Sequence, residues 1–296
     1  MEFRKAERRR ARARIAIEGP SGSGKTHSSL LLASGLADKI ALVDTEHSSS
    51  EIEAGKPGIP EFQVLQMEDP FTPERYIQAI DLAEKAGIEC LIIDSLSHEW
   101  NGAGGILDDH ARMVKMGKNS FAAWKDLTPR HDSLIQRILG SSMHIIATMR
   151  AKTEHVLSSD DKGKQVVKKM GMAAVQRDTT EYEFSCVLKL DRDTHYAVAS
   201  KDRTIFEGRE FVITKEIGAE LREWLESGAA PSEPVAKPDP DNRPMTDEEM
   251  KRFSDVVIKH GFKTLDECLE KFQINRNALT RKTALSIVNE LRRKDK

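Results

Sequence analysis

The amino-acid sequence predicts an α/β fold, a mostly parallel sheet flanked by helices, with a small all-α module after it. Three observations carry this expectation. Apolar runs of four or five residues (40–43, 90–93, 144–148) recur between segments of helical patterning. Continuous apolar runs mark strands covered on both faces, and alternation with helices marks a parallel sheet. Five of the eleven prolines fall between 231 and 244, where they favour an extended linker, and helical patterning resumes beyond it.

The elements follow in order. The run 15–17 reads as a first strand that enters a Gly/Ser loop, and 25–36 reads as an apolar helix. Strands follow at 40–43 and, more weakly, at 62–65. The segment 73–86 reads as a helix opened by Pro73, with Glu74 in its first turn. A buried strand at 90–93 precedes a mostly helical stretch over 119–139 and a strand at 144–148. The runs 184–190, 195–199 and 211–214 have a more antiparallel character, and 215–226 reads as a helix. Past the linker 227–244, Thr246 with Glu249 and Thr264 with Glu267 have capping-box spacing. A third helix fits 280–293. The expected organisation is a core over 1–226 with a basic N-terminal arm, a linker over 227–244 and a helical domain over 245–296.

Across 296 residues, 46 Lys+Arg against 48 Asp+Glu leave a formal charge of -2, but the charge is uneven. Residues 1–14 carry seven basic and two acidic side chains, and 150–177 carry seven and three. An acidic body with basic patches meets a polyanion through the patches. No run approaches the 18 apolar residues of a membrane span, and the N-terminus lacks the apolar segment of a signal peptide. Cys90, Cys186 and Cys268 lie far apart in apolar runs. That spacing argues against a disulfide scaffold or zinc finger, as does the absence of ligand spacing among the histidines. The reading is a cytoplasmic globular protein.

Gly19, Pro20, Ser21, Gly22, Ser23, Gly24, Lys25 and Thr26 match G-x-x-x-x-G-K-[ST] at every fixed position. An apolar strand precedes the motif and a helix follows it. Glycines let backbone N–H groups converge on phosphates, and the helix N-terminus adds the positive end of its dipole. Lys25 then reaches the β/γ-phosphates and the Thr26 hydroxyl ligates Mg2+. Such a loop needs a second carboxylate on the metal side, and Asp94, ending the strand 90–93, fits. A general base must also reach the attacking water. Glu46, directly after the strand 40–43, is the favoured residue. Glu99 is the rival, five residues beyond Asp94.

Several segments carry a family resemblance. Val43-Asp-Thr-Glu46-His47 and Ile92-Ile-Asp94-Ser95 resemble the RecA core, in which the glutamate after the second strand is the base and a serine follows the metal-side aspartate. More closely, 14–26, 93–100, 119–124, 147–154 and 174–178 resemble a group of bacteriophage RecA-like ATPases, some assigned to core-only recombinases or single-strand annealing proteins of the Sak type. The resemblance covers about residues 4–226. It implies ATP and Mg2+ as cofactors and assembly into a ring or filament. The implied partners are single-stranded DNA and a single-strand DNA-binding protein, and the implied compartment is the cytoplasm of a bacterial host. It also implies that Lys201 and Arg203, in Lys201-Asp-Arg203, act as basic fingers on a neighbour's γ-phosphate. One departure stands out: RecA has a γ-phosphate-sensing glutamine near the end of its fourth strand, where this chain reads Thr148-Met149-Arg150.

In the RecA fold, loops after the fourth and fifth strands line a channel for single-stranded DNA. The matching stretch here contains Arg150, Lys152, Lys162, Lys164, Lys168, Lys169 and Arg177, which are the candidate phosphate contacts. Aromatic residues are nearly absent from it, which argues against base stacking as the main mode. The expected function is Mg-dependent ATP hydrolysis in DNA recombination or annealing. Three other uses of the same loop stay open: a helicase or loader motor, a small-molecule kinase, and an ATP-switched DNA-binding scaffold.

Overall fold

The computed structural model describes residues 3, 5–159, 165–229, 245–272, 274 and 279–294. The chain divides into two compact units, 1–229 and 230–296.

The first unit is built on a sheet of order β3-β2-β4-β5-β1-β7-β8-β9, with β6 paired to β5 alone. Its strands are β1 (Arg14–Gly19), β2 (Ile40–Asp44), β3 (Gln63–Gln66), β4 (Cys90–Asp94), β5 (His144–Ser159), β6 (Gln165–Ala174), β7 (Cys186–Leu190), β8 (Tyr196–Asp202) and β9 (Glu210–Val212). The six strands from β3 to β7 are mutually parallel, and β8 and β9 add antiparallel at one edge. This is the expected mostly parallel α/β sheet. Every residue of β1, β2 and β4 is buried, because helices cover both faces.

On one face, α2 (Pro73–Lys85) and α5 (Ser120–Leu139) supply Tyr76, Ile80, Leu134 and Ile138 against Leu91, Ile145 and Val187. On the other, α1 (Lys25–Leu36) and α6 (Lys215–Glu226) supply Leu30, Leu32 and Leu221 against Ile15, Ile17 and Leu188. Where α1 crosses α6, a Cβ on Gly35 would overlap the backbone of Lys215 and Gly218, so glycine sets the close approach of the two helices.

Buried Arg14 is the anomaly of β1, and its partners explain it. Its guanidinium donates to the carbonyls of Leu139, Ser141 and Met143. It thereby satisfies acceptors left open where α5 ends. Burial is the main cause that lowers its pKa to about 10. The basic arm before it also packs: Arg10 N donates to Ala229 O, and the Arg8 guanidinium lies 4.2 Å over the Trp224 ring.

Three expectations change. The strand expected to end at Thr148 continues to Ser159 and pairs antiparallel with β6. Such a hairpin leaves the main sheet and satisfies its backbone within itself, so it needs no apolar run to announce it. Two helices were not read at all: α3 (Ser97–Asn101) and α4 (Ile106–Lys115). In α4 the apolar residues Ile106, Leu107, Met113 and Val114 are spaced for one helical face, although only Ile106 and Asp109 are buried. Residues 227–229, expected to start the linker, close the first unit, where Ala229 bridges Arg9; 230–244 lie outside the described residues.

The second unit contains α7 (Asp247–Lys259), α8 (Leu265–Lys271) and α9 (Arg281–Lys294) around Phe253, Val257, Leu265, Cys268, Leu269 and Ile287. Thr246 and Glu249 form a complete capping box. Thr264 accepts from Glu267 N, but the Glu267 carboxylate accepts from Lys263 N instead of Thr264 N.

Candidate functional site

The carboxyl ends of β1, β2, β4 and β5 open onto a cavity of about 590 Å³. Ser21, Gly22, Gly24, Lys25, Thr26 and His27 form one wall, and Glu46, Asp94 and Arg150 form another. The glycine-rich loop bends here because Gly22 and Gly24 adopt φ of 81° and 82°, a region open to glycine at little cost. Gly24 is the N-cap of α1, so the helix's unpaired amides face the cavity, an arrangement suited to an anion.

Lys25 Nζ donates to Pro20 O at 3.0 Å. Burial lowers the pKa of this ammonium, and nearby Asp94 and Glu46 oppose the shift. Thr26 Oγ1 donates to Asp94 Oδ2 at 2.5 Å, while Thr148 Oγ1 donates to the other carboxylate oxygen. Burial raises the Asp94 pKa, against those two hydrogen bonds. The peptide bond from Asp94 to Ser95 is cis.

Glu46 is brought to the same cavity by Asp44, whose Oδ1 accepts from Glu46 N at 2.6 Å and whose Oδ2 accepts from Ser50 N at 2.9 Å. The turn that leaves β2 is thus pinned by the last residue of the strand, an Asx-type arrangement. His98 adds a further tie: its Nδ1 lies 2.7 Å from Thr45 Oγ1, which accepts from Ser95 N at 2.8 Å. The segments carrying Glu46 and Asp94 are therefore joined to each other.

Among the described residues, no group of three or more His, Cys, Asp and Glu side chains is arranged to hold a metal ion. Thr26 and Asp94, a hydroxyl hydrogen-bonded to a carboxylate, stand together beside the phosphate loop, and Glu46 and Glu53 also line the cavity. Hard oxygen donors such as Thr26 and Asp94 suit Mg2+, which keeps several waters and takes further oxygens from substrate phosphates. The donor set fits the ion.

The remaining expected residues are placed as follows. Glu99, the rival base, is fully buried with His131 Nδ1 at 3.0 Å and Gln176 Nε2 at 3.3 Å, and it does not line the cavity. Arg150, expected to contact nucleic acid, lines the cavity instead, with Nε 2.9 Å from Glu46 Oε1. Its position explains the change: it is the last residue of β5 in register with β1, opposite Gly19. Lys152 is exposed, and Arg177 pairs with Asp132 at 3.0 Å. Lys168 and Lys169 fall on β6 opposite Val156 and His155; Lys162 and Lys164 lie outside the described residues. Lys201 pairs with Val187, near the end of β7 away from the phosphate loop. Its ammonium donates to the carbonyls of Glu181 and Tyr182, and Arg203 follows one residue beyond β8. At about 3.3 Å per residue, several residues of strand separate Lys201 from its own chain's cavity.

Sequence reasoning met Arg150 where RecA has its γ-phosphate-sensing glutamine, with Arg150 as a candidate substitute, but did not pair it with Glu46. It missed the His27–Glu53 pair (2.7 Å) in the cavity lining and the hydrogen bond from Thr148 to Asp94. Only the adjacency of β5 to β4 reveals the Thr148 contact. It also missed the tip of the α4–α5 pair. Residues 110–125 contain Arg112, Lys115, Lys118 and Lys125 and no acid. Phe121 and Met116 are 83% and 82% exposed there. His110 stacks on Trp124, and Trp124 on Trp100, with centroids 4.4 and 5.9 Å apart. Asp109 and Asp126 flank the segment and pair with Arg112 and Lys118. Because α5 ends just before β5 begins, its first turn points toward the sheet edge that carries the phosphate loop.

No helix among the described residues is long and apolar enough to cross a membrane. No curated protein matches the chain. Among solved structures, the crystal structure of the RadB recombinase is similar with a TM-score of 0.40 and 20% identity, covering 71% of this chain and 90% of that one. The model of the AAA domain family matches residues 11–216, and the chain belongs to that family.

Proposed function

We propose that this chain is a Mg2+-dependent ATPase of the RecA-like class that binds single-stranded DNA and assembles with further copies of itself. Its biological output is DNA recombination or annealing. The observation that carries the reading is Glu46, a carboxylate with no metal-side role that lines the same cavity as Lys25, Thr26 and Asp94. A site that only binds nucleotide has no need of a base there; one that hydrolyses it does.

Lys25 and the loop amides hold the β- and γ-phosphates. Thr26 and Asp94 hold Mg2+, which when bound neutralises charge on the phosphate oxygens. Glu46 orients the attacking water and takes its proton, and Arg150 places positive charge beside the γ-phosphate. Single-stranded DNA is supported by the cationic, acid-free tip 110–125 with its exposed Phe121. Backbone phosphates pair with Arg and Lys, and an exposed ring takes a base face.

The test is phosphate release with and without Mg2+, for the wild type and Glu46→Gln. The reading expects Mg2+-dependent release, and a variant that binds ATP as before but turns over about 100-fold or more slowly. Equal turnover in the variant removes Glu46 as the base, and transfer of the phosphoryl group to a small molecule favours the kinase reading.

A further inference from the structure

The turn between β7 and β8 lies against the phosphate loop from outside the cavity. Arg192 Nε stands 3.8 Å from where a Cβ on Gly22 would be, and His195 Nδ1 stands 3.5 Å from the corresponding point on Gly24. The turn is itself fixed: Asp191 Oδ1 accepts from Asp193 N, Thr194 N and Thr194 Oγ1 at 2.9–3.0 Å. Asp191 N also donates to Tyr196 O at 2.9 Å. At the end of this turn His195 has φ of 58°, a left-handed conformation uncommon for any residue with a side chain.

That conformation aims the ring at the loop, with Nδ1 3.1 Å from Ser23 O. A carbonyl oxygen only accepts, so Nδ1 carries the proton and donates. The Ser23–Gly24 peptide is trans, and in a planar trans peptide the C=O and N–H point in opposite directions. Drawing the Ser23 carbonyl toward β8 therefore turns the Gly24 N–H away from it, toward the cavity that Gly24 lines.

We infer that His195 is a positioning residue of the phosphate loop: its hydrogen bond to Ser23 O sets the Ser23–Gly24 peptide so that the Gly24 amide meets the bound phosphates. The inference rests on the nucleotide-binding reading above. An uncommon backbone conformation held by a rigid turn is what such a role requires, since the ring must arrive from one fixed direction.

Two variants of the full-length chain separate positioning from a merely structural role. His195→Gly removes the ring and relieves the backbone. His195→Asn keeps a donor near the Nδ1 position and tolerates the left-handed region. Calorimetric titration with Mg-ATP is expected to give a Kd about 5- to 10-fold higher for the Gly variant, the loss of one hydrogen bond. The Asn variant is expected within about 2-fold of the wild type, and the Gly variant's Tm unchanged or raised. Wild-type affinity in the Gly variant overturns the inference, as does equal weakening of both variants with a lowered Tm. If the wild type itself binds no nucleotide, the underlying reading fails before either variant is compared.

Discussion

Arg150 Nε donates to Glu46 Oε1 at 2.9 Å, joining the root of the β5–β6 hairpin to the carboxylate that follows β2. The side chains are 45% and 29% exposed, so the pair itself contributes at most about 1 kcal/mol. A cation beside a phosphoryl group in transfer contributes several kcal/mol. The two magnitudes decide the sign of a substitution. Arg150→Ala is expected to slow single-turnover hydrolysis by at least ~10-fold, although it frees Glu46. Faster hydrolysis in that variant would mean the arginine acts chiefly as a restraint on the base.

Lys201 and Arg203 lie toward the end of the sheet away from their own phosphate loop, so any contact with a γ-phosphate has to be made on another copy. Mixing Lys201→Ala with Lys25→Ala pairs an intact nucleotide cavity with an intact finger. Partial recovery of ATPase activity in the mixture is expected. A mixture no more active than its components would count against action across an interface.

The tip 110–125 makes a separable prediction. Lys115→Ala is expected to lower the slope of log affinity against log salt by about 1 for single-stranded DNA. Phe121→Ala is expected to cost about 1–3 kcal/mol of binding with the slope unchanged. Anisotropy of a labelled oligonucleotide across a salt series measures both. Unchanged binding in the two variants would remove the tip from the interface.

His144 links the fold to pH. It is 2% exposed, and its Nδ1 accepts from Ala13 N at 3.1 Å. Burial, followed by the charges of Arg12 and Arg14, lowers its pKa from 6.5 to about 4. Between those values the unfolded chain binds more protons than the folded one, so stability rises with pH through the window and is lost as pH falls toward 4. The contribution is on the order of 3 kcal/mol. His144→Asn keeps an acceptor for Ala13 N and does not titrate there. Its denaturation midpoints between pH 6.5 and 4 are expected to fall less steeply than those of the wild type.

What could be read from the sequence was local. The phosphate loop, the strand ending at Asp94 and the helix at 215–226 each announce themselves within a dozen residues, through glycine spacing or an apolar run. The β5–β6 hairpin did not, because its strands pair with each other beyond the main sheet and the sequence 150–177 is rich in Lys and Arg instead of forming an apolar run. The site was legible as far as Lys25, Thr26, Glu46 and Asp94, which lie in or beside those local signals. Arg150 beside Glu46 and His195 beside Ser23 are separated by 104 and 172 positions. Only the strand order, which places β5 and β7 on either side of β1, brings them to the loop. The near-neutral total charge hid the tip as well: four basic side chains lie between 112 and 125, from the end of α4 to the start of α5, and the nearest acids, Asp109 and Asp126, pair with Arg112 and Lys118.

An ATPase that works on single-stranded DNA as an assembly has a steady-state rate of hydrolysis that depends on both the DNA and the assembly. That dependence is measured with and without single-stranded DNA over a range of protein concentrations. Stimulation by DNA with a steeper than linear dependence on concentration is the expected result. A rate proportional to concentration and indifferent to DNA would contradict it.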